Sequence, residues 1–147
     1  MTSQSNNQTI VRQFMEQAFN QGDLTAVDRH LTPDAIDYQE PPGTDFVNHL
    51  KQVIPALRTA FPDLHFEIHD MLSEGDLVAF RSTMTGTHLG PFSMGPVRDF
   101  APTARSISVA HMHFVRINKG KGGELWHLWD MPGLMRQLGI TPEPQRS

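Results

Sequence analysis

The sequence predicts an α+β fold in which helices come first and a mainly antiparallel sheet follows. Up to Pro62, apolar residues recur with the 3.6-residue spacing of amphipathic helices. After Pro62 the spacing shortens to two residues, and turn residues separate the segments, as in antiparallel strands. Because 147 residues match the size of one typical domain, we expect a single domain over residues 1–147, with loose tails at about 1–7 and 141–147.

The first part of the chain contains three predicted helices and one short strand. Asp23 is expected to cap the second helix, and Thr44 or Asp45 the third, because these side chains accept hydrogen bonds from the first N–H groups of a helix. Pro55 lacks an N–H group, so it predicts a kink in the third helix or an earlier end. The predicted segments are helices at about residues 8–20, 24–31 and 45–60 and a strand at residues 35–39.

The second part contains four predicted strands and a short closing helix. Pro132 suits the first turn of that helix, and Gly139 suits its left-handed C-cap. Residues 90–104 contain two glycines and three prolines and predict a loop over a pocket mouth or at an interface. The predicted strands cover residues 64–72, 77–88, 106–118 and 124–130, with turns at residues 73–76 and 118–123.

Composition and charge exclude several classes of protein. The chain has 12 Lys and Arg against 16 Asp and Glu, a net charge of −4, whereas domains that bind nucleic acid are usually basic. No apolar stretch approaches the ~20 residues that span a bilayer, and the N-terminal residues do not resemble a secretion signal. We therefore expect no nucleic-acid or membrane partner, and a cytoplasmic location is the simplest interpretation. The absence of cysteine excludes disulfides and thiolate metal sites.

Two histidines stand out in the strand predicted at residues 106–118. The two-residue repeat of a strand places His111 and His113 on one face together with aliphatic side chains. Either histidine alone could serve only to hydrogen-bond a neighbouring strand. A carboxylate close to both would instead indicate acid/base chemistry.

Asp130, at the end of the last predicted strand, is the carboxylate expected beside these histidines. A hairpin turning near residues 118–123 would set Asp130 opposite residues 111–113, on the face that it shares with Trp126. Apolar surroundings would raise the pKa of this carboxyl group, as a general acid or base requires. The alternative is that Asp130 caps the closing helix across Pro132, which does not exclude catalysis.

Other side chains are candidates for the wall of a substrate pocket. Arg81 could order an anionic group or pair with a carboxylate, and His88 could belong to a lid or to an ordinary loop. Asp37 and Glu40 lie near the first strand, where a surface role is favoured over a cavity role. The substrate-binding candidates are Tyr38, Arg81, His88, Phe92, Trp126 and Trp129.

Several familiar site motifs are missing from the sequence. No glycine-rich phosphate loop follows a strand, which argues against a nucleotide cofactor, and no GxSxG elbow indicates a serine hydrolase. His111 and His113 could in principle bind a metal, but no HExxH motif is present and cysteine is absent. We therefore expect neither a metal site nor a cofactor.

Short motifs distributed over nearly the whole chain carry a family resemblance. They are Phe61-Pro62-Asp63-Leu64, the hairpin Glu74-Gly75-Asp76-Leu77-Val78-Ala79, Thr85-Gly86-Thr87-His88, and the ending Trp129-Asp130 followed by Gly133-Leu134-Met135-Arg136-Gln137-Leu138-Gly139. In their order and spacing they resemble the SnoaL-like polyketide cyclases, or ester cyclases, of the nuclear transport factor 2-like superfamily.

This resemblance implies a fold, a reaction and site residues. It implies a cone of curved antiparallel sheet packed on about three helices, usually as a homodimer, with a pocket for a hydrophobic small molecule and no cofactor. The implied reaction is an intramolecular aldol condensation, in which the family's acid/base aspartate falls on Asp130 and a cavity histidine on His113, with His111 as the alternate. An isomerase or hydrolase on the same cone, or a non-catalytic binding module, remains an alternative.

The chain also departs from the family pattern in its later part. Leu125 stands where the family commonly has His, and residues 100–104 replace a Pro-Pro-Thr-Gly run. The loop over residues 90–104 is longer than usual. The resemblance therefore implies a reshaped pocket mouth.

Overall fold

The computed structural model describes residues 3–94 and 97–140 and has the predicted α+β architecture. A π-helical segment, Met15–Asn20, extends the first helix directly. Among the described residues, no helix is both long and apolar enough to cross a membrane. The helices are α1 (Ser3–Phe14), α2 (Thr25–His30), α3 (Phe46–Ala60) and α4 (Met131–Leu138).

Five of seven strands form one curved sheet in the order β1-β7-β6-β3-β2. All neighbours in this sheet are antiparallel except β1 and β7, which are parallel. The other two strands form a separate hairpin. The strands are β1 (Leu31–Asp37), β2 (His65–Glu74), β3 (Leu77–Thr87), β4 (Phe92–Met94), β5 (Val97–Phe100), β6 (Ser106–Asn118) and β7 (Lys121–Trp129).

The core lies between the helices and the inner face of the sheet. Alternate residues of β6 are buried along its whole length, which confirms the two-residue period that the sequence predicts. Each large apolar side chain buried here contributes about 1.5–3 kcal/mol relative to its exposed state. Helix and strand side chains that meet in this core include Val11, Phe14, Ile54, Phe80, Val109 and Val115.

Several predicted helix ends are confirmed by their cap geometry. The Asp45 side chain accepts a hydrogen bond from Asn48 N at 3.2 Å and begins α3. Gly139 adopts the left-handed conformation with φ of 78° and ends α4. A proline occupies the first turn of α4, as predicted.

The earlier helix end predicted at Pro55 is not what the structure shows, because α3 continues to Ala60. The alternative, a kink at Pro55, stays a prediction. Pro55 lies on the exposed side of the helix, where water can hydrogen-bond the carbonyl that the ring leaves unpaired. On the opposite side, Ile54 and Leu57 are buried in the core. The free energy gained by packing these two side chains exceeds the cost of the backbone hydrogen bond that the proline removes.

Two other predicted segments also differ from the structure. Helix α1 begins at Ser3, so residues 3–7 are helical and the loose tail predicted there is wrong. Residues 90–104, predicted as a loop, contain the β4–β5 hairpin, in which Phe92 pairs with Phe100. Residues 1–2 and 141–147, the rest of the predicted tails, lie outside the described residues.

Candidate active site

A cavity of about 400 Å³ lies between the helices and the inner face of the sheet. Most of its wall is apolar, and side chains from α1, the π-helical segment and α3 face those of β3, β6 and β7. Phe14, Leu50, Phe66 and Phe80 are among the lining residues. Such a cavity suits a hydrophobic small molecule and leaves orientation to a few polar groups.

Three histidines form the main polar feature of this wall. His111 and His113 lie two residues apart on β6, and His127 on β7 is paired directly with His113. One ring nitrogen from each histidine lies within 4.8 Å of the other two. The alternation of the strands therefore brings the three imidazoles to the same place in the cavity.

The imidazoles have few hydrogen-bond partners. Nδ1 of His111 lies 2.8 Å from Nε2 of His127, so one ring donates and the other accepts. Nε2 of His113 lies 3.1 Å from the hydroxyl oxygen of Ser82. Nε2 of His111 is buried without a hydrogen-bond partner.

Burial keeps these histidines neutral at neutral pH. Desolvation lowers the pKa of His111 to about 3 and that of His127 to about 4, and the neighbouring His127 adds a smaller repulsion at His111. Desolvation also holds the pKa of His113 well below its usual range. The rings can therefore donate one N–H and accept at the other nitrogen.

Asp37 supplies a carboxylate next to the histidines. It ends β1, which runs parallel to β7, and its Oδ2 lies 4.0 Å from Nδ1 of His127. Only 7% of Asp37 is exposed, and burial raises the pKa of its carboxyl group, partly offset by a hydrogen bond from Gln39 N. Asp37 therefore lines the cavity. The surface role that the sequence favours for it is wrong.

Asp130 does not lie beside the histidines. Its backbone N–H donates to the carbonyl of Ala110 at 3.0 Å, and its exposed side chain accepts from Gly133 N at 2.9 Å as the N-cap of α4. The predicted placement in an apolar pocket is therefore wrong. The capping alternative describes what the side chain does in this structure.

A shift in the pairing of β6 and β7 explains this error. Near the turn, Ile117 pairs with Gly122, but the next residue, Arg116, pairs with Glu124, so Gly123 is an extra residue. A shift of one residue exchanges the two faces of a strand. Beyond Gly123, the face of β7 that carries His127 therefore points into the cavity, and the Asp130 face points outward.

Tyr38, Trp126 and Arg81 lie outside the cavity. Tyr38 stacks on Trp126 with ring centroids 5.0 Å apart and donates its hydroxyl hydrogen to Glu124. Arg81 is exposed and forms an ion pair with Asp70 at 2.7 Å. The prediction that these three side chains line the substrate pocket does not agree with this arrangement, because all three lie on the outer face of the sheet.

Of the remaining candidates, Trp129 lines the cavity, and so does Glu40, for which the sequence favours a surface role. Phe92 is buried against Phe61, away from the cavity wall. His88 is also fully buried, and its Nδ1 accepts a hydrogen bond from Thr103 N at 3.1 Å. His88 and Phe92 therefore anchor the segment after β3 instead of contacting a ligand in this cavity.

His127 and Ser82 are site residues that no sequence motif singles out. A strand alternation that groups His127 with Leu125 and Trp129 is visible in the sequence. The missing information was which of the two faces points inward. The pairing shift at Gly123 determines which face of β7 points inward. The apolar pattern alone does not predict that shift.

Comparison with known proteins identifies a family. The family model described as SnoaL-like polyketide cyclase matches residues 9–138. No curated protein sequence matches the chain. The family match therefore covers all seven strands and the four helices except the start of α1.

Solved structures share both the fold and part of the sequence. TsrD from Streptomyces laurentii is 25% identical with a TM-score of 0.81, covering 96% of this chain and 100% of that one. AclR from Streptomyces galilaeus, a candidate hydroxylase, is 28% identical with a TM-score of 0.77, covering 98% and 91%. IdmH from Streptomyces antibioticus, a candidate polyketide cyclase, is 28% identical with a TM-score of 0.74, covering 91% and 99%.

Proposed function

Because this chain belongs to the SnoaL-like polyketide cyclase family, we propose that it closes a ring in a hydrophobic ketoester by an intramolecular aldol reaction or related enolate chemistry. The observation that carries this proposal is the placement of Asp37 and three neutral histidines in one apolar cavity. We assign proton transfer to this group and not to Asp130, whose carboxylate is occupied as a helix cap.

Asp37 is proposed as the base. In an aldol reaction, the base removes a proton from a carbon next to a carbonyl group, and the electron pair delocalises onto the carbonyl oxygen. Burial raises the pKa of Asp37, which makes its carboxylate a stronger proton acceptor than an exposed one. A ligand in the cavity can approach it because Asp37 lines the wall.

The histidines are proposed to stabilise the enolate oxygen. A neutral imidazole donates an N–H hydrogen bond without requiring a counter-ion, and such donors act strongly in a water-poor site. The enolate carbon then attacks the second carbonyl, a carbon–carbon bond forms, and the resulting alkoxide takes up the proton that Asp37 removed in the first step. His113 and His127 lie opposite each other on paired strands. His127 is the ring near Asp37, and His113 is the ring that contacts Ser82.

The experiment compares two aspartate variants on a panel of polycyclic aromatic ketoesters. Turnover is followed by mass spectrometry as the formation of a cyclic isomer, and proton removal is followed in heavy water as deuterium uptake at the acidic carbon. Asp37→Asn should lower both rates by about 100-fold or more, since general-base catalysis contributes ~10²–10⁴-fold. Asp130→Asn should retain both, because asparagine also caps helices.

The opposite pattern would overturn the assignment. Full activity in Asp37→Asn together with loss in Asp130→Asn would restore the role that the family resemblance implies for Asp130. Ligand binding without deuterium uptake in the wild type would overturn the enzymatic proposal and favour a binding module.

Hydroxylation is a second candidate, supported by the 28% identity to AclR, a candidate hydroxylase. Hydroxylation would require O₂ and a two-electron reductant as co-substrates, with one oxygen atom entering the product and the other leaving as water. Its product would gain one oxygen atom, whereas an aldol cyclisation leaves the mass unchanged. The same mass spectra therefore separate the two reactions.

A further inference from the structure

We propose that His111, His113 and His127 form a binding site for one divalent transition-metal ion, with Zn²⁺ or Co²⁺ as suitable probes. This proposal goes beyond the cyclisation and does not depend on it. With an ion bound, the ion would take the place of the imidazole N–H groups in stabilising the enolate oxygen. It also departs from the expectation of no metal site that the sequence motifs give.

The spacing of the three imidazoles supports the site. Four ligands at ~2.0–2.1 Å around a tetrahedral ion lie ~3.3 Å from one another. The nearest pair here, Nδ1 of His111 and Nε2 of His127, is 2.8 Å apart, and no pair among the three chosen nitrogens exceeds 4.8 Å. These two distances lie on either side of the tetrahedral value.

The donor atoms of the cluster are of a type that metals bind. A histidine binds a metal through an unprotonated ring nitrogen, and each of the three histidines places one ring nitrogen in the cluster. Imidazole nitrogen suits Zn²⁺, Cu²⁺, Ni²⁺ and Fe²⁺, and three histidines with an open position form a known type of catalytic metal site.

Polar groups behind two of the rings fit a second coordination shell. Histidines that bind metals usually hydrogen-bond through their other nitrogen to a carboxylate, a carbonyl or water. Nε2 of His113 lies within hydrogen-bond distance of Ser82 Oγ, at 3.1 Å, whereas Nδ1 of His127 lies 4.0 Å from Asp37 Oδ2, which is longer than a direct hydrogen bond. Nε2 of His111 is buried with no partner, which leaves Nδ1 as its polar contact in the cluster.

The strands hold the cluster in place. Phe80 stacks on His113 with ring centroids 4.1 Å apart, and Trp129 lies against His111 at 5.3 Å. Donors on paired strands are positioned more accurately than donors on loops. The cavity in front of the rings leaves room for a substrate oxygen on the ion, which would polarise a carbonyl group as a Lewis acid.

Metal titration of the EDTA-treated full-length protein tests the site without any measurement of turnover. The wild type should bind one equivalent of Co²⁺ with a dissociation constant below about 10 µM and develop visible absorption bands. His127→Gln should weaken binding at least ~10-fold. The matched control is His65→Gln, which changes an exposed histidine of β2 and should bind as the wild type does.

Two results would overturn the proposal: a dissociation constant above about 10 µM in the wild type, or equal affinity in His127→Gln and His65→Gln. If His127→Gln does not fold, NMR of the imidazole nitrogens in the wild type tests whether these three histidines bind the metal. One equivalent of Zn²⁺ should shift the ring-nitrogen signals of three of the eight histidines, and shifts elsewhere or none would contradict the site. Metal binding without cyclisation would count against the proposed function alone.

Discussion

Burial of neutral imidazoles links the stability of this protein to pH. His111 and His127 have pKa values near 3 and 4 in the folded state, against 6.5 in the unfolded chain. A histidine whose pKa is lowered by folding favours the folded state most above pH 6.5, where the ring is neutral in both states. This stability is lost as the pH falls toward the pKa of the ring in the folded state. Asp37 acts in the opposite direction, because its raised pKa favours the folded state at acid pH.

We expect the free energy of unfolding of the metal-free protein to fall by about 1 kcal/mol per pH unit for each of these histidines between about pH 6 and pH 4. His127→Gln removes one titrating ring and should make the dependence correspondingly shallower. Urea unfolding in EDTA at several pH values measures both slopes. Identical slopes in the two proteins would show that His127 is not held neutral by the fold.

Ser82 is the hydrogen-bond partner of His113 and is only 1% exposed. Ser82→Ala should lower the free energy of unfolding by about 1–2 kcal/mol, because it leaves a buried ring nitrogen unpaired. The matched control is Thr83→Ala on the opposite face of β3, whose hydroxyl contacts the exposed His69 and should matter less. Equal losses measured by urea unfolding would contradict a specific role for the Ser82 contact.

At the level of elements, the closing helix depends on Asp130. Removing a helix N-cap costs about 1 kcal/mol, so Asp130→Ala should lower the free energy of unfolding by roughly that amount. Asp130→Asn should restore most of the loss, since asparagine caps almost as well. Calorimetry of the two variants tests this, and equal destabilisation by Ala and Asn would indicate a role for the charge beyond capping.

The extra residue at Gly123 determines which face of β7 points inward. Deleting Gly123 should force Trp126 and Asp130 inward and His127 outward, at a cost above ~4 kcal/mol, enough to prevent stable folding. Gly123→Ala is the matched control, because an added Cβ would meet only ordinary contacts at 3.6 Å or more. A deletion variant that folds and keeps its cavity would show that the shift is not essential.

Features that depend on local sequence could be predicted, whereas features that depend on this pairing shift could not. The β6 boundaries, the Asp45 and Gly139 caps and the shared face of His111 and His113 follow from local periodicity and cap chemistry. The inward face of β7 depends on one non-local pairing, and so does the position of Asp37 beside His127. Local patterns carry no information about either.

For the whole molecule, the outer face of the sheet exposes large apolar side chains that no part of the chain described by the structure covers. Met112 is 52% exposed, Phe114 47% and Leu128 65%, and all three lie together on β6 and β7. Ion pairs border this apolar surface, namely Arg81 with Asp70 and Arg116 with Glu124. An apolar centre with a charged rim is typical of an interface between protein chains.

We propose that this outer face joins two copies of the chain in a homodimer. Light scattering should then give the mass of two 16.6-kDa chains, and Leu128→Asp should shift the protein to the mass of one, because it places a charge in the apolar centre. Leu89→Asp is the matched control, since Leu89 is 56% exposed but lies in the segment after β3. A wild type of single-chain mass would refute the dimer. Because the three histidines lie on the inner face, metal binding should be the same in the dimeric and monomeric forms.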